Sequence, residues 1–223
     1  MITVRAVAFD LDGLMFNTED IFVRVARDML AARGKEFTPA IMAAMIGRQW
    51  VEAGPAFKRM ADLSESLDEL LEEKRLRFNA LLKTAVATAP GLLRLLDHLE
   101  GRGLPRCVAT SSRRAYAEGL LTDHHLTMRF QFLLGAEDIA RGKPDPEIYL
   151  KAANRFGVPV ASMLVLEDSP AGVAAGKAAG AFTVAVPHEH SPSAGLDQAD
   201  LIVPRLDDVR LLTSLKLGPL PSF

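Results

Sequence analysis

Short apolar runs recur along the chain at residues 4–9, 107–109, 132–134, 163–166 and 182–186. Most are separated by longer stretches whose apolar residues recur at three- and four-residue spacing. The short runs lack a regular polar alternation, as expected of strands buried on both faces, whereas the longer stretches carry the period of a helix. Leu92, Leu93, Leu95, Leu96 and Leu99 mark one helix, closed by Gly101-Arg102-Gly103, and residues 147–156 and 171–179 make two more. Strand alternating with helix predicts an α/β fold with a parallel sheet.

One region breaks this rhythm. Between residues 18 and 84 every segment reads as helix: 20–33, 39–45, 51–60 and 67–83. Thr38 before Pro39 is a helix start, with a capping hydroxyl and a proline in the first turn. A long stretch without a strand predicts an all-helical cap domain over residues 17–85, inserted into an α/β core formed by 1–16 and 86–223.

Composition narrows the function. With 223 residues, 49% of them hydrophobic, the chain can bury one sizeable core and a smaller companion domain. A formal net charge of −2 argues against nucleic-acid or membrane-surface binding. The single cysteine, Cys107, sits in an apolar run and allows no disulfide framework, so a cytoplasmic setting is expected. No segment has the length of uncharged apolar sequence that a membrane span needs, and the N-terminus reads as a strand rather than a signal peptide.

The chemistry collects where the strands stop. The first run ends in Asp10-Leu11-Asp12-Gly13. Two acids one residue apart leave the same face of an extended backbone, and the glycine lets the chain turn away at once. Such a pair suits a cation, a nucleophile with its general acid, or an acidic surface loop. The second run leads into Thr110-Ser111-Ser112, which offers either anion-binding groups at a helix start or ordinary caps. Lys143 lies between a glycine and a proline in Gly142-Lys143-Pro144-Asp145-Pro146, and Glu167-Asp168-Ser169 closes the run at 163–166. Each feature has a bland reading as a cap or a solvated turn. Together, in this order, they form a constellation suited to phosphate chemistry.

These residues resemble the haloacid dehalogenase-like hydrolase superfamily, in its β-phosphoglucomutase-like and phosphoglycolate phosphatase-like branch. The resemblance spans essentially the whole chain, including Asn17-Thr18-Glu19, Pro90-Gly91 and the run from Glu167 to Gly172. It implies a Rossmann-like core with an inserted α-helical cap, and an aspartyl-phosphate mechanism in which Asp10 attacks phosphorus while Asp12 acts as general acid and base. It also implies magnesium on the Asp10 carboxylate, the Asp12 carbonyl, Asp168 and Glu167, the last directly or through water. Thr110 and Lys143 would hold phosphoryl oxygens, and Leu11, Gly13, Thr18, Ser111, Arg48 and Lys74 would contact substrate. Asp12 sets the chain apart from true dehalogenases, which lack this second aspartate.

Within that branch, the place of the mutase histidine is taken here by Phe22. Arg48 lies near the expected cap arginine and Lys74 matches the hinge-side lysine. The resemblance therefore implies a phosphatase of a small phosphorylated metabolite, a sugar phosphate ahead of phosphoglycolate, acting as a monomer or weak homodimer. A β-phosphoglucomutase-type mutase and a catalytically silent phosphometabolite-binding protein are the alternatives. Trp50 reads as a packing residue or a substrate contact. His188-Glu189-His190 places two imidazoles on one side of an extended segment without a third metal ligand. The glycines at 172, 176 and 180 point to close packing of a helix on the sheet, and Arg113 and Arg114 to a solvated helix start.

Overall fold

In a computed structural model of the protein, residues 3–45, 50–192, 194–214 and 216–217 are described. The chain divides into two compact units, residues 1–16 with 88–223 and residues 17–87.

The helical unit contains α1 (Thr18–Ala31), α2 (Pro39–Met45), α3 (Trp50–Met60) and α4 (Leu67–Ala85). Thr38 caps α2, its hydroxyl accepting from the Ile41 N–H at 3.3 Å. The start of α4 is a reciprocal capping box: the Ser66 hydroxyl accepts from the Glu69 N–H at 3.2 Å, and the Glu69 carboxylate accepts from the Ser66 N–H at 2.8 Å. Just beyond α1, Arg33 is held by Glu65 and Glu73, both at 2.6 Å.

The α/β unit carries β1 (Thr3–Val4), β2 (Ala6–Phe9), β3 (Arg106–Ala109), β4 (Phe132–Leu134), β5 (Met163–Glu167), β6 (Phe182–Ala185), β7 (Leu201–Ile202) and β8 (Lys216–Leu217). Its helices are α5 (Leu92–Glu100), α6 (Arg114–Asp123), α7 (Glu147–Phe156), α8 (Pro170–Ala179) and α9 (Val209–Ser214). Six strands form a parallel sheet in the order β4-β3-β2-β5-β6-β7, in which Phe9 of β2 lies opposite Val108 and Leu166. From β2 the chain builds outward through β3 and β4, then returns to the other side of β2 to build β5, β6 and β7. Ligands bind at such a reversal, outside the carboxyl ends of the strands.

Small residues let helices approach one face of the sheet closely. Ala6, Ala8, Cys107 and Ala109 pack with Ile148, Tyr149, Ala152 and Ala153 of α7 and with Ala175 and Ala179 of α8. A Cβ at Gly176 would lie 2.5 Å from the Thr183 hydroxyl, which accounts for glycine on the inner side of α8. On the opposite face Phe9 meets Phe130 edge-on at 5.6 Å.

The apolar run at 4–9 is two strands rather than one. Val4 pairs with β8 in a separate two-stranded sheet, and Arg5 leaves the ladder, its N–H bonding the Ser162 carbonyl at 2.8 Å. The short β7 and β8, for which the sequence pattern gives no signal, exist through their pairing with neighbours. Among the described residues, no helix is long and apolar enough to cross a membrane.

Candidate active site

The sheet ends at Phe9, and the next residue, Asp10, is tied to β5 by its N–H on the Leu166 carbonyl at 3.0 Å. The Asp10 carboxylate is buried and accepts from the Lys143 ammonium at 2.5 Å. The same ammonium donates to Glu167 Oε1 at 2.6 Å and to the Ala109 carbonyl at 3.0 Å, so all three of its hydrogens are used. Glu167, fully buried at the end of β5, also accepts from the Tyr149 hydroxyl at 2.5 Å and from the Asp168 N–H and the Ser169 hydroxyl at 3.2 and 3.1 Å. Ser169 caps α8 as well, accepting from the Gly172 N–H at 3.1 Å. A helix cap and an acidic site thus share the same residues.

Asp10, Glu167 and Asp168 each bring a carboxylate oxygen within 4.8 Å of the others, all three buried. Burial pushes the Asp10 carboxyl well above the ordinary carboxylate range; Lys143 opposes this, and the charges of Glu167 and Asp168 add to it. Burial works against the Lys143 ammonium too, but Asp10 and Glu167 outweigh it and keep that group firmly protonated. The Tyr149 phenol is pushed up by burial and by the Glu167 charge. Among the described residues, the Lys143 ammonium is shared between two of these carboxylates, Asp10 and Glu167.

Asp12 has partners of its own. It bridges to Phe16, and the chain turns directly after it, with Gly13 at φ +78° and its N–H on the Phe16 carbonyl at 2.9 Å. The Asp12 carboxylate accepts from the Ser112 hydroxyl at 2.6 Å and from the Tyr116 hydroxyl at 2.8 Å, and it lies outside the three-acid cluster. A Cβ at Gly13 would lie 2.2 Å from Asp168 Oδ2, so glycine is required there for space as well as for backbone angle.

Thr110 is buried directly after β3, its N–H on the Leu134 carbonyl and its hydroxyl accepting from the Ser112 N–H, both at 3.0 Å. It does not cap a helix: α6 begins later, without a side-chain cap, and the Arg114 N–H is met by Glu137 at 2.9 Å. Arg114 is not simply solvated either, since it pairs with Asp138 at 2.5 Å.

Of the expected substrate contacts, Leu11, Gly13 and Ser111 belong to the α/β unit, where Leu11 is buried and Ser111 is exposed. Thr18 and Lys74 belong to the helical unit, and Arg48 lies outside the described residues. The Lys74 ammonium sits over the rings of Phe22 and Trp50, 4.8 and 5.1 Å from their centroids, and burial holds its pKa below the usual lysine value, opposed by the Glu19 charge. Phe22 in turn stacks on Phe78 at 4.2 Å. Trp50 lies against Gly54, where a Cβ would come within 2.8 Å of the indole.

Sequence reasoning passed over Tyr149 and Tyr116, and it did not anticipate the partners of Ser112 and His188. A tyrosine within the apolar stripe of α7 was the available signal, since its hydroxyl needs a buried acceptor. The contacts of Tyr116 and His188 are made with residues 104 and 20 positions away, respectively, and carried no local sign.

Residues 7–186 match the family described as haloacid dehalogenase-like hydrolase. The chain belongs to this family. It is 34% identical over 217 residues to (DL)-glycerol-3-phosphatase 2 of Arabidopsis thaliana, covering 93% of this chain and 90% of the relative. It is also 34% identical over 206 residues, 92% of its length, to the bifunctional riboflavin kinase/FMN phosphatase of the same plant, but spans only 54% of that longer protein. A HAD family hydrolase of Deinococcus radiodurans R1, solved with bound phosphate and sodium, superposes with a TM-score of 0.84 at 27% identity, covering 98% of this chain and 100% of that one. The α/β fold is the Rossmann-like core of this family, and the protein is by class a phosphoric monoester hydrolase.

Proposed function

We propose that the protein is a magnesium-dependent phosphatase of a small phosphorylated metabolite, a sugar phosphate first, working through an aspartyl-phosphate on Asp10. The observation that carries this reading is the buried Asp10 carboxylate, held through Oδ1 by Lys143 beside Glu167 and Asp168. Three buried carboxylates supply only oxygen donors, and the Lys143 ammonium is shared between two of them. A hard divalent cation fits both the donors and their charge, and Asp10, Glu167 and Asp168 would hold it. When bound, magnesium supplies Lewis-acid charge for the phosphoryl oxygens and favours the ionised form of Asp10.

The remaining steps belong to the chain. Lys143 occupies one oxygen of Asp10 and leaves the other to attack phosphorus. As the new Asp10–phosphorus bond forms, the ester oxygen leaves with a proton from Asp12. Water then attacks the aspartyl-phosphate, Asp12 takes a proton from it, and phosphate departs from a regenerated Asp10. Lys143 supplies fixed positive charge, and Thr110 a hydroxyl for the phosphoryl group. Such preorganised charge and positioning supply most of what phosphoryl transfer requires. The helical unit serves as the cap that selects substrate.

Hydrolysis is favoured over mutase chemistry by Phe22, which stacks on Phe78 under the Lys74 ammonium and has no proton to give or take. The test is phosphate release, with and without magnesium, from hexose phosphates, glycerol 3-phosphate, FMN and phosphoglycolate, with Asp10→Asn alongside. Magnesium-dependent release that vanishes in the variant is expected. No release from any ester, or release that survives Asp10→Asn, refutes the reading.

A further inference from the structure

The turn that follows β6 grips Asp168 at two points, its carbonyl and its carboxylate. The Ser191 hydroxyl donates to the Asp168 carbonyl at 3.0 Å while accepting from the His188 N–H at 3.1 Å. The Ser191 N–H closes the turn on the His188 carbonyl at 3.0 Å. His188 then reaches the Asp168 side chain itself, Nε2 to Oδ2, at 3.0 Å.

The other ring nitrogen fixes the chemistry of that contact. His188 Nδ1 accepts from the His190 N–H at 3.1 Å, so it carries no hydrogen. The ring proton must then sit on Nε2, which donates to Asp168 and is itself unable to bind a metal. This removes the reading of His188 and His190 as a chelating pair. Gly13 completes the enclosure, for a Cβ there would lie 2.2 Å from Asp168 Oδ2 and 2.9 Å from His188 Nε2.

We propose that His188 is a positioning residue that holds the Asp168 carboxylate in its ligating orientation, with Ser191 fixing the backbone beneath it, so that cation affinity depends on this imidazole. The proposal rests on the reading of Asp10, Glu167 and Asp168 as a cation site. An aspartate free to rotate must be ordered when the ion arrives; one already held by a donor and walled in by Gly13 is not. Hydrogen-bond partners of metal ligands commonly contribute 10- to 100-fold in metal affinity.

Manganese provides a probe independent of turnover, because the electron paramagnetic resonance signal of the free ion disappears on binding. Titrations would compare the unaltered protein with His188→Gln, which can still donate, and His188→Leu, which cannot, each checked for an intact fold by circular dichroism. Weakening of about 10- to 100-fold in His188→Leu, with His188→Gln within a few-fold of the unaltered protein, is the expected result. Equal weakening in both variants, or none in either, overturns the positioning role while leaving the cation site standing. Failure of the unaltered protein to bind manganese overturns the site and this proposal together.

Discussion

Replacing Asp10 by asparagine should make the metal-free protein more stable while removing its activity. With an effective dielectric of about 20, attraction between Lys143 and Asp10 at 2.5 Å amounts to about 7 kcal/mol. Repulsion from Glu167 and Asp168, each within 4.8 Å, amounts to at least about 3.5 kcal/mol apiece. The two effects nearly cancel and leave the burial of the charge uncompensated, which is why the Asp10 carboxyl is pushed up. Asparagine keeps the shape, removes one negative charge, and leaves Lys143 paired with Glu167 at 2.6 Å. A gain of about 1–2 kcal/mol is typical when such a functional compromise is relieved. In a chain of 223 residues that raises the melting temperature by about 2–8 °C.

The pH dependence has a definite sign. An unfolded aspartate titrates near 3.9, whereas folded Asp10 keeps its proton well above the ordinary range. Its contribution to stability is therefore complete below about pH 3.9 and is lost as the pH rises through the folded value. The advantage of the asparagine variant should grow from pH 5 to pH 8 in EDTA. Magnesium should then stabilise the unaltered protein, by about 2.7 kcal/mol at a hundredfold excess over its dissociation constant, and the variant much less. Thermal or urea unfolding with EDTA and with magnesium reads all of this. A variant that melts below the unaltered protein at pH 8 in EDTA would refute the reasoning.

Lys143→Met should cost about 3–5 kcal/mol of stability in urea, because it strands two buried carboxylates; a loss below about 1 kcal/mol would contradict the shared-ammonium arrangement. Tyr116→Phe removes one of the two hydroxyls on Asp12 and should slow hydrolysis of an alkyl phosphate roughly tenfold, yet leave p-nitrophenyl phosphate, whose leaving group needs no proton, nearly unaffected. Equal losses on both esters would sever Tyr116 from proton transfer. Gly172→Ala would drive a methyl group to within 1.9 Å of the Glu167 carboxyl, and a loss of about 1–3 kcal/mol by urea unfolding is expected. Gly119→Ala, where an added Cβ would meet no atom within 4 Å beyond its own stretch of helix, should instead be neutral or stabilising by about 0.5–1 kcal/mol and serves as its control.

Local order along the chain was sufficient to read the strand-helix rhythm, the helical stretch after the first motif, and the placing of Asp10, Thr110, Lys143 and Glu167 at strand or loop ends. Buried parallel strands need continuous apolar residues, and a ligand site at their ends needs polar ones, so both leave a mark within a few positions of sequence. Arg5 shows the limit of this reading. One residue that leaves the ladder turns an apparent single strand into two, and only its hydrogen bond to Ser162 shows where the break falls.

The separate partners of the two aspartates were not in the sequence: Lys143 holds Asp10, and Ser112 and Tyr116 hold Asp12, each a hundred or more residues away along the chain. Nor was the grip of Tyr149 on Glu167, of Tyr116 on Asp12, or of His188 on Asp168. Those partners lie eighteen, a hundred and four, and twenty residues apart, and packing alone brings them together. The sequence by itself determined which chemical groups stand at the ends of the strands, since burial and periodicity are local. Only the tertiary structure decided which group each of them holds, because hydrogen bonds are made in space and not along the chain.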